Sequence, residues 1–201
     1  MKGKDSLEKI ESEINNCQSC KLYLKRTKTV PGEGDHGSKI FFIGEGPGKN
    51  EDLEGRPFVG SAGKFLEEML SIINLSRQDV FIGNVIKCRP PLNRDPEISE
   101  ISACRPFLCR QLNIIRPKLI ATLGRFSLGI FLPHESISRV HGKLKMISYK
   151  DPKHPLYPLN PLYLLPLYHP AAALYRGNLR QILINDFKNI PKIINKLNKE
   201  N

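Results

Sequence analysis

Four short apolar runs, each stopping at glycine or a polar turn residue, constrain the fold of this chain most tightly. Lys39-Ile40-Phe41-Phe42-Ile43 runs into Gly44-Glu45-Gly46-Pro47-Gly48, and Val80-Phe81-Ile82 runs into Gly83-Asn84. Lys118-Leu119-Ile120-Ala121-Thr122-Leu123 stops at Gly124, and Tyr163-Leu164-Leu165-Pro166-Leu167-Tyr168 stops at His169-Pro170. Runs this short, rich in β-branched and aromatic side chains, favour strands over helices. Helical patterns lie between them. Phe65, Leu66, Met69, Leu70 and Ile73 form one apolar face, and Leu179, Ile182, Leu183, Phe187 and Ile190 another. A third runs through Ile98, Ile101, Leu108 and Leu112, where Pro106 must kink or divide the helix. Strands alternating with helices predict an α/β fold with a largely parallel sheet covered on both faces.

The ends of the chain and the stretch before the last run read differently. Asp5-x-x-Glu8 resembles a capping box ahead of Leu7, Ile10 and Ile14, which predicts a short helix ending near Asn16. Residues 133–170 hold seven of the sixteen prolines, which excludes a long helix there. Within that stretch Lys143-Leu144-Lys145-Met146 alternates as an edge strand would. No internal repeat or domain boundary stands out, so residues 1–201 read as one domain.

In an open parallel sheet, ligands bind outside the carboxyl ends of the strands. Three of the four runs end there in residues with chemistry to offer: Glu45, Asn84 and His169. Taken singly, each is an ordinary turn residue. Together a carboxylate, an amide and an imidazole at one sheet edge suggest a site for a planar, polar ligand. The Gly44–Gly48 loop is neither a dinucleotide fingerprint nor a Walker loop. A second loop, Gly55-Arg56-Pro57-Phe58-Val59-Gly60, holds Phe58 between glycines, where it can stack on a base or plug the core.

The five cysteines are more specific. Cys17-x2-Cys20 makes one half-site, and Cys88 and Cys104 can make the other. Four thiolates suit zinc or an iron–sulfur cluster; zinc sites usually pair two tight C-x2-4-C units, and the wide second gap here favours a cluster. Cys109 is left over as a buried apolar residue. No apolar stretch is long enough for a membrane span, and Met1-Lys2-Gly3-Lys4-Asp5 lacks the apolar segment of a leader. The chain therefore reads as cytoplasmic, where thiols stay reduced. A formal net charge of +11 suits a polyanionic partner such as nucleic acid.

These residues resemble the family 4 uracil-DNA glycosylases, the iron–sulfur branch of that superfamily. The resemblance covers Cys17 to Arg176. It rests on Gly44-Glu45-Gly46-Pro47-Gly48 with Glu51-Asp52, Gly55-Arg56-Pro57-Phe58-Val59-Gly60, and Gly83-Asn84-Val85-x-Lys87-Cys88-Arg89-Pro90-Pro91. Cys104-x-Pro106-Phe107-Leu108 and His169-Pro170-Ala171-Ala172 complete it. It implies a three-layer α/β/α sandwich around a four-stranded parallel sheet, and a structural 4Fe–4S cluster on Cys17, Cys20, Cys88 and Cys104. It further implies an enzyme that flips uracil out of DNA and hydrolyses its N-glycosidic bond. Phe58 would stack on the base, Asn84 would read O4 and N3–H, and Glu51 would close the pocket against a thymine methyl. His169, with backbone N–H groups near Gly46, would stabilise charge at O2, and Glu45 would position water. Ala173, Leu174 or Tyr175 would wedge into the vacated stack, with Arg176 and Arg180 on phosphates.

The resemblance implies a monomer; a sliding-clamp partner is compatible with it but specified by no residue. Two other readings stand beside the glycosylase: a non-catalytic nucleic-acid-binding protein, and an enzyme with broader specificity for deaminated bases. Relatives that trap uracil-DNA covalently use a His between the strand-two Asn and the last cluster Cys. No His lies between His36 and His134 here. The Pro-rich stretch 151–161 reads as an insertion that lengthens a surface loop.

Overall fold

The computed structural model describes residues 5–199; the leader reading of Met1–Lys4 lies outside them. The chain runs through α1 (Leu7–Asn15), β1 (Glu33–Gly34), β2 (Ile40–Gly44), α2 (Lys49–Glu54), α3 (Ser61–Ile72), β3 (Phe81–Asn84) and α4 (Ile98–Ile115). It continues through β4 (Leu119–Leu123), α5 (Arg125–Phe131), α6 (Ile137–Val140), β5 (Lys145–Ile147), β6 (Leu162–Leu167), α7 (Pro170–Leu174), α8 (Gly177–Lys188) and α9 (Ile190–Lys199).

The strands form one sheet in the order β1-β3-β2-β4-β6-β5. Its inner four strands are parallel and correspond to the four apolar runs. The sheet has six strands rather than four, because β1 and β5 pair antiparallel on its two edges. A two-residue strand has no periodicity of its own, so only its pairing with β3 defines β1. β5 falls within the alternating Lys143–Met146 segment and its neighbour Ile147.

Alternation along the strands builds the layers. Phe41 and Ile43 face a core with Ile10 and Ile14 of α1, Leu108 and Leu112 of α4, and Leu128 of α5. Ile40 and Phe42 face the opposite core with Phe65, Leu66 and Met69 of α3, Leu183 and Phe187 of α8, and Leu197 of α9. The result is a three-layer α/β/α sandwich. Among the described residues no helix is long and apolar enough to cross a membrane.

Two local expectations change. Ser6, not Asp5, caps α1: its hydroxyl accepts the Lys9 N–H at 3.2 Å, while Asp5 pairs with Arg110 of α4 at 2.6 Å. Pro106 does not divide α4, which continues across it as one helix. Pro106 and Ser102, whose carbonyl loses its helical partner, are both exposed. The Pro-rich loop docks at the far end of the sheet from the strand tips. Its Pro155 and Pro158 carbonyls accept from Asn113 and Arg116 at the end of α4, at 2.8 and 2.9 Å.

Candidate active site

After β3 the chain crosses over β2 to enter β4, so the direction of winding reverses at the carboxyl ends of β2 and β4. A pocket opens there. Glu45, Gly46, Pro47 and Gly48 from the turn after β2, Glu51 of α2, Phe58, Asn84 of β3 and His169 after β6 all line it. The structure thus brings the six pocket residues singled out in the sequence into one cavity. Ala62, Pro90, Asn93, Arg94 and Ala171 complete the wall. No sequence pattern marked Asn93 or Arg94, because their loop is irregular and only folding places it at the rim.

Asn84 ends β3 directly beside Gly44, its register partner in β2. Its residue is 1% exposed, and its side-chain oxygen has no hydrogen-bond partner. Buried polar atoms are rarely left so, since an unmade bond costs about 1–3 kcal/mol. Close approach explains the glycines around it. A Cβ on Gly44 would overlap the Asn84 side-chain oxygen and come within 2.7 Å of the Phe58 ring, and one on Gly46 would lie 2.6 Å from Ile86.

Phe58 has a left-handed backbone, φ 53°, unusual for an aromatic residue. Two charged residues hold the turn. Arg77 Nη1 donates to the Phe58 carbonyl at 2.8 Å, and the same guanidinium pairs with Glu33. On the other side Glu51 Oε1 accepts the N–H groups of Val59 and Gly60, each at 2.9 Å, while Oε2 accepts Gly48 N–H at 3.1 Å. Glu51 therefore ties the turn after β2 to the Phe58 loop. The Phe58 ring lies 5.7 Å from that of His169, with 27° between the planes.

His169 caps α7, its Nδ1 accepting the Ala171 N–H at 3.1 Å. A neutral imidazole that accepts at Nδ1 carries its proton on Nε2 and can donate from there. Burial pushes the ring's pKa down to about 4, and the Glu51 carboxylate offsets this in part. His169 is thus a neutral donor at neutral pH. Burial also raises the pKa of Glu45, with the Asp95 carboxylate adding to the effect and Arg125 opposing it. Among the described residues, the Glu45 carboxylate makes no hydrogen bond.

Of the residues after His169, Ala173 is 2% exposed and so lies beneath the surface, which leaves Leu174 and the 89% exposed Tyr175 as protruding groups. Arg176 is exposed at the start of α8. Arg180 is engaged within the protein, stacked over Phe65 at 4.2 Å and paired with Glu68 at 2.6 Å.

The cysteines gather elsewhere. Cys17 and Cys20 follow α1, Cys88 lies beyond β3 and Cys104 sits in α4; all four line one small pocket. Arg26 donates to the Cys88 sulfur at 3.2 Å and to the Cys17 carbonyl at 2.9 Å. Lys87, fully buried alongside, donates to Gln111 at 2.7 Å. Burial raises the pKa of Cys20 and of Cys88, and pushes that of Cys104 up to about 12. Among the described residues no three His, Cys, Asp or Glu side chains cluster tightly enough to hold a single metal ion. The four-thiol donor set nonetheless fits a larger, thiolate-ligated group, with the Arg26 N–H directed at one sulfur. Cys109 is buried in the core and lies outside this pocket.

The sequence model of the Uracil DNA glycosylase superfamily matches residues 31–197. The Type-4 uracil-DNA glycosylase of Sulfurisphaera tokodaii is 51% identical over 195 residues, covering 94% of this chain and 85% of the relative. That of Archaeoglobus fulgidus is 45% identical over 197 residues, 96% and 95% of the two chains. That of Thermotoga maritima is 40% identical over 194 residues, 94% and 95% of the two.

Proposed function

This chain belongs to the Uracil DNA glycosylase superfamily, and from that premise we propose that it excises uracil from DNA by hydrolysing the N-glycosidic bond at the pocket above. The observation that carries the reading is the Asn84 side-chain oxygen, buried and without a partner beside Phe58 and His169. A uracil turned out of the helix supplies what that atom lacks: its N3–H donates to the oxygen, while O4 accepts from the amide nitrogen. Phe58 stacks on the base. Cytosine presents a bare acceptor at N3 and a donor at the 4-position, so it mismatches both ends of the amide.

His169 Nε2–H faces O2. As the bond between N1 and C1′ breaks, its electron pair leaves with uracil, and a neutral donor stabilises the charge accumulating at O2. The Glu45 carboxylate positions the water whose oxygen bonds to C1′ and balances positive charge on the sugar, and the proton that this water releases neutralises the departing uracil anion. Glu51 acts from behind: its carboxylate fixes the Phe58 loop and forms the pocket wall against a thymine methyl. Leu174 or Tyr175 fills the gap in the stack, and Arg176 meets a phosphate. No such contact is assigned to Ala173, beneath the surface, or to Arg180, held by Glu68 and Phe65.

Cys17, Cys20, Cys88 and Cys104 would hold a 4Fe–4S cluster, which when bound supplies a structural cross-link between the segment after α1, the loop after β3, and α4. The whole of residues 1–201 acts as one domain and as a monomer, on DNA in the cytoplasm.

The test is a single-turnover assay on an oligonucleotide bearing one uracil, read as alkali-labile breaks. Breaks at uracil, with none at thymine or cytosine, are expected. Binding of that DNA without cleavage would replace the enzyme with a binding protein.

A further inference from the structure

Leu92 and Tyr175 are the two most exposed large apolar side chains among the described residues, at 95% and 89%. Leu92 lies on the loop after β3 and Tyr175 at the end of α7, and both segments contribute other residues to the pocket wall. Tyr175 follows β6, and Leu92 sits beyond β3, with β2 and β4 between those strands. The loop carrying Leu92 is built rather than slack. Pro90 and Pro91 lead into a tight turn in which Asn93 N–H bonds to the Pro90 carbonyl and Arg94 N–H to that of Pro91, both at 3.1 Å. Arg89 Nε bonds to the Asn93 side chain at 2.7 Å, and Arg94 grips the buried Glu100 with two bonds of 2.9 and 2.6 Å.

Within this turn Leu92 and Asn93 both adopt left-handed backbones, φ 55° and 54°. That region disfavours leucine, which has neither the freedom of glycine nor the local hydrogen bonding of asparagine. Pro90, Asn93 and Arg94 line the pocket wall, whereas Leu92 does not. A strained, rigidly mounted and almost fully exposed leucine thus stands at the rim of the base pocket.

The largest apolar surface in a DNA duplex is the faces of its stacked bases, and that surface opens where a nucleotide has left the stack. We propose that Leu92 is a wedge: it enters the base stack of duplex DNA next to the nucleotide extruded into the pocket. The inference rests on reading the pocket as a uracil site. It adds a contact from the β3 side, separate from the residues that follow His169. Single-stranded DNA has no ordered stack to hold apart, so the wedge serves the duplex alone.

Leu92→Gly removes the side chain and suits the left-handed backbone, so folding is preserved; Leu92→Phe keeps an apolar wedge. The assay compares single-turnover excision from one sequence, single-stranded and paired. Leu92→Gly should slow duplex excision by about tenfold or more, and single-strand excision by less than about twofold. Leu92→Phe should restore the duplex rate. Equal effects on both substrates, or none on either, would overturn the wedge. No excision by the unaltered protein on either substrate would instead count against the pocket reading. The wedge is then judged by binding to a duplex with 2-aminopurine beside an unpaired site. Fluorescence should rise with the unaltered protein and not with Leu92→Gly; equal responses would refute it.

Discussion

The Asn84 side-chain oxygen and Gly44 stand so close across the β2–β3 ladder that no β-carbon fits between them. The same missing carbon gives room to the edge of the Phe58 ring. Gly44→Ala should therefore displace both base-reading groups at once. Excision should drop by about a hundredfold or more, while melting shifts only by the about 1–3 kcal/mol typical of overpacking. Single-turnover rates together with thermal melts check this.

Asn84→Asp replaces the amide donor with an acceptor while keeping the shape. The uracil rate should fall, and discrimination against cytosine should weaken by about tenfold or more. Paired assays on uracil- and cytosine-containing strands measure the ratio. Unchanged discrimination would remove Asn84 from base reading.

His169 is neutral because burial outweighs the pull of Glu51. Its replacement by Ala should slow excision at least about a hundredfold and leave DNA affinity within about threefold. The pH dependence has a definite sign. An unfolded His titrates near its ordinary value of 6.5 and the folded one near 4, so between these the unfolded chain binds more protons. Stability from this group is complete above about pH 6.5 and declines as the solution is acidified toward 4. His169→Gln should therefore lose less stability than the unaltered protein between pH 7 and 4.5, measured by urea unfolding at both values. An equal loss would mean that the ring takes up its proton at the same pH in the folded and unfolded chain, so that burial does not hold it neutral.

The cysteines divide into two classes. Cys88→Ser should lower bound iron and visible absorbance in the purified protein and reduce its melting temperature by about 5 °C or more. Cys109→Ser, outside the thiol pocket, should keep both iron and colour. An exchange of these outcomes would move the ligand role from Cys88 to Cys109.

Much of this architecture was legible in the sequence because strands and amphipathic helices announce themselves by period and by what stops them. Phe41 and Phe42 point to opposite cores, as an alternating two-sided strand requires, and Glu45, Asn84 and His169 meet because parallel strands deliver their ends to one edge. The rest depended on contacts between distant segments. β1 exists only through its pairing with β3. Pro106 leaves α4 whole at an exposed position, which no local rule states. Arg180 read as a surface cation, but Glu68 and Phe65, far away in sequence, hold it. The neutrality of His169 comes from its burial, against the pull of Glu51, and the left-handed turn at Phe58 is held by Glu51, Arg77 and Glu33 from other segments.

The two short strands at the sheet margins carry a consequence for the protein at high concentration. A parallel array of four strands would leave two long rows of unpaired backbone groups, each able to recruit the same row from another copy. Here β1 offers two residues and β5 three, with Lys145 on the latter, so each margin is too brief, and at β5 too charged, to template a neighbour. The sheet ends where the molecule ends, and this resistance to edge-to-edge aggregation is independent of whatever the pocket binds.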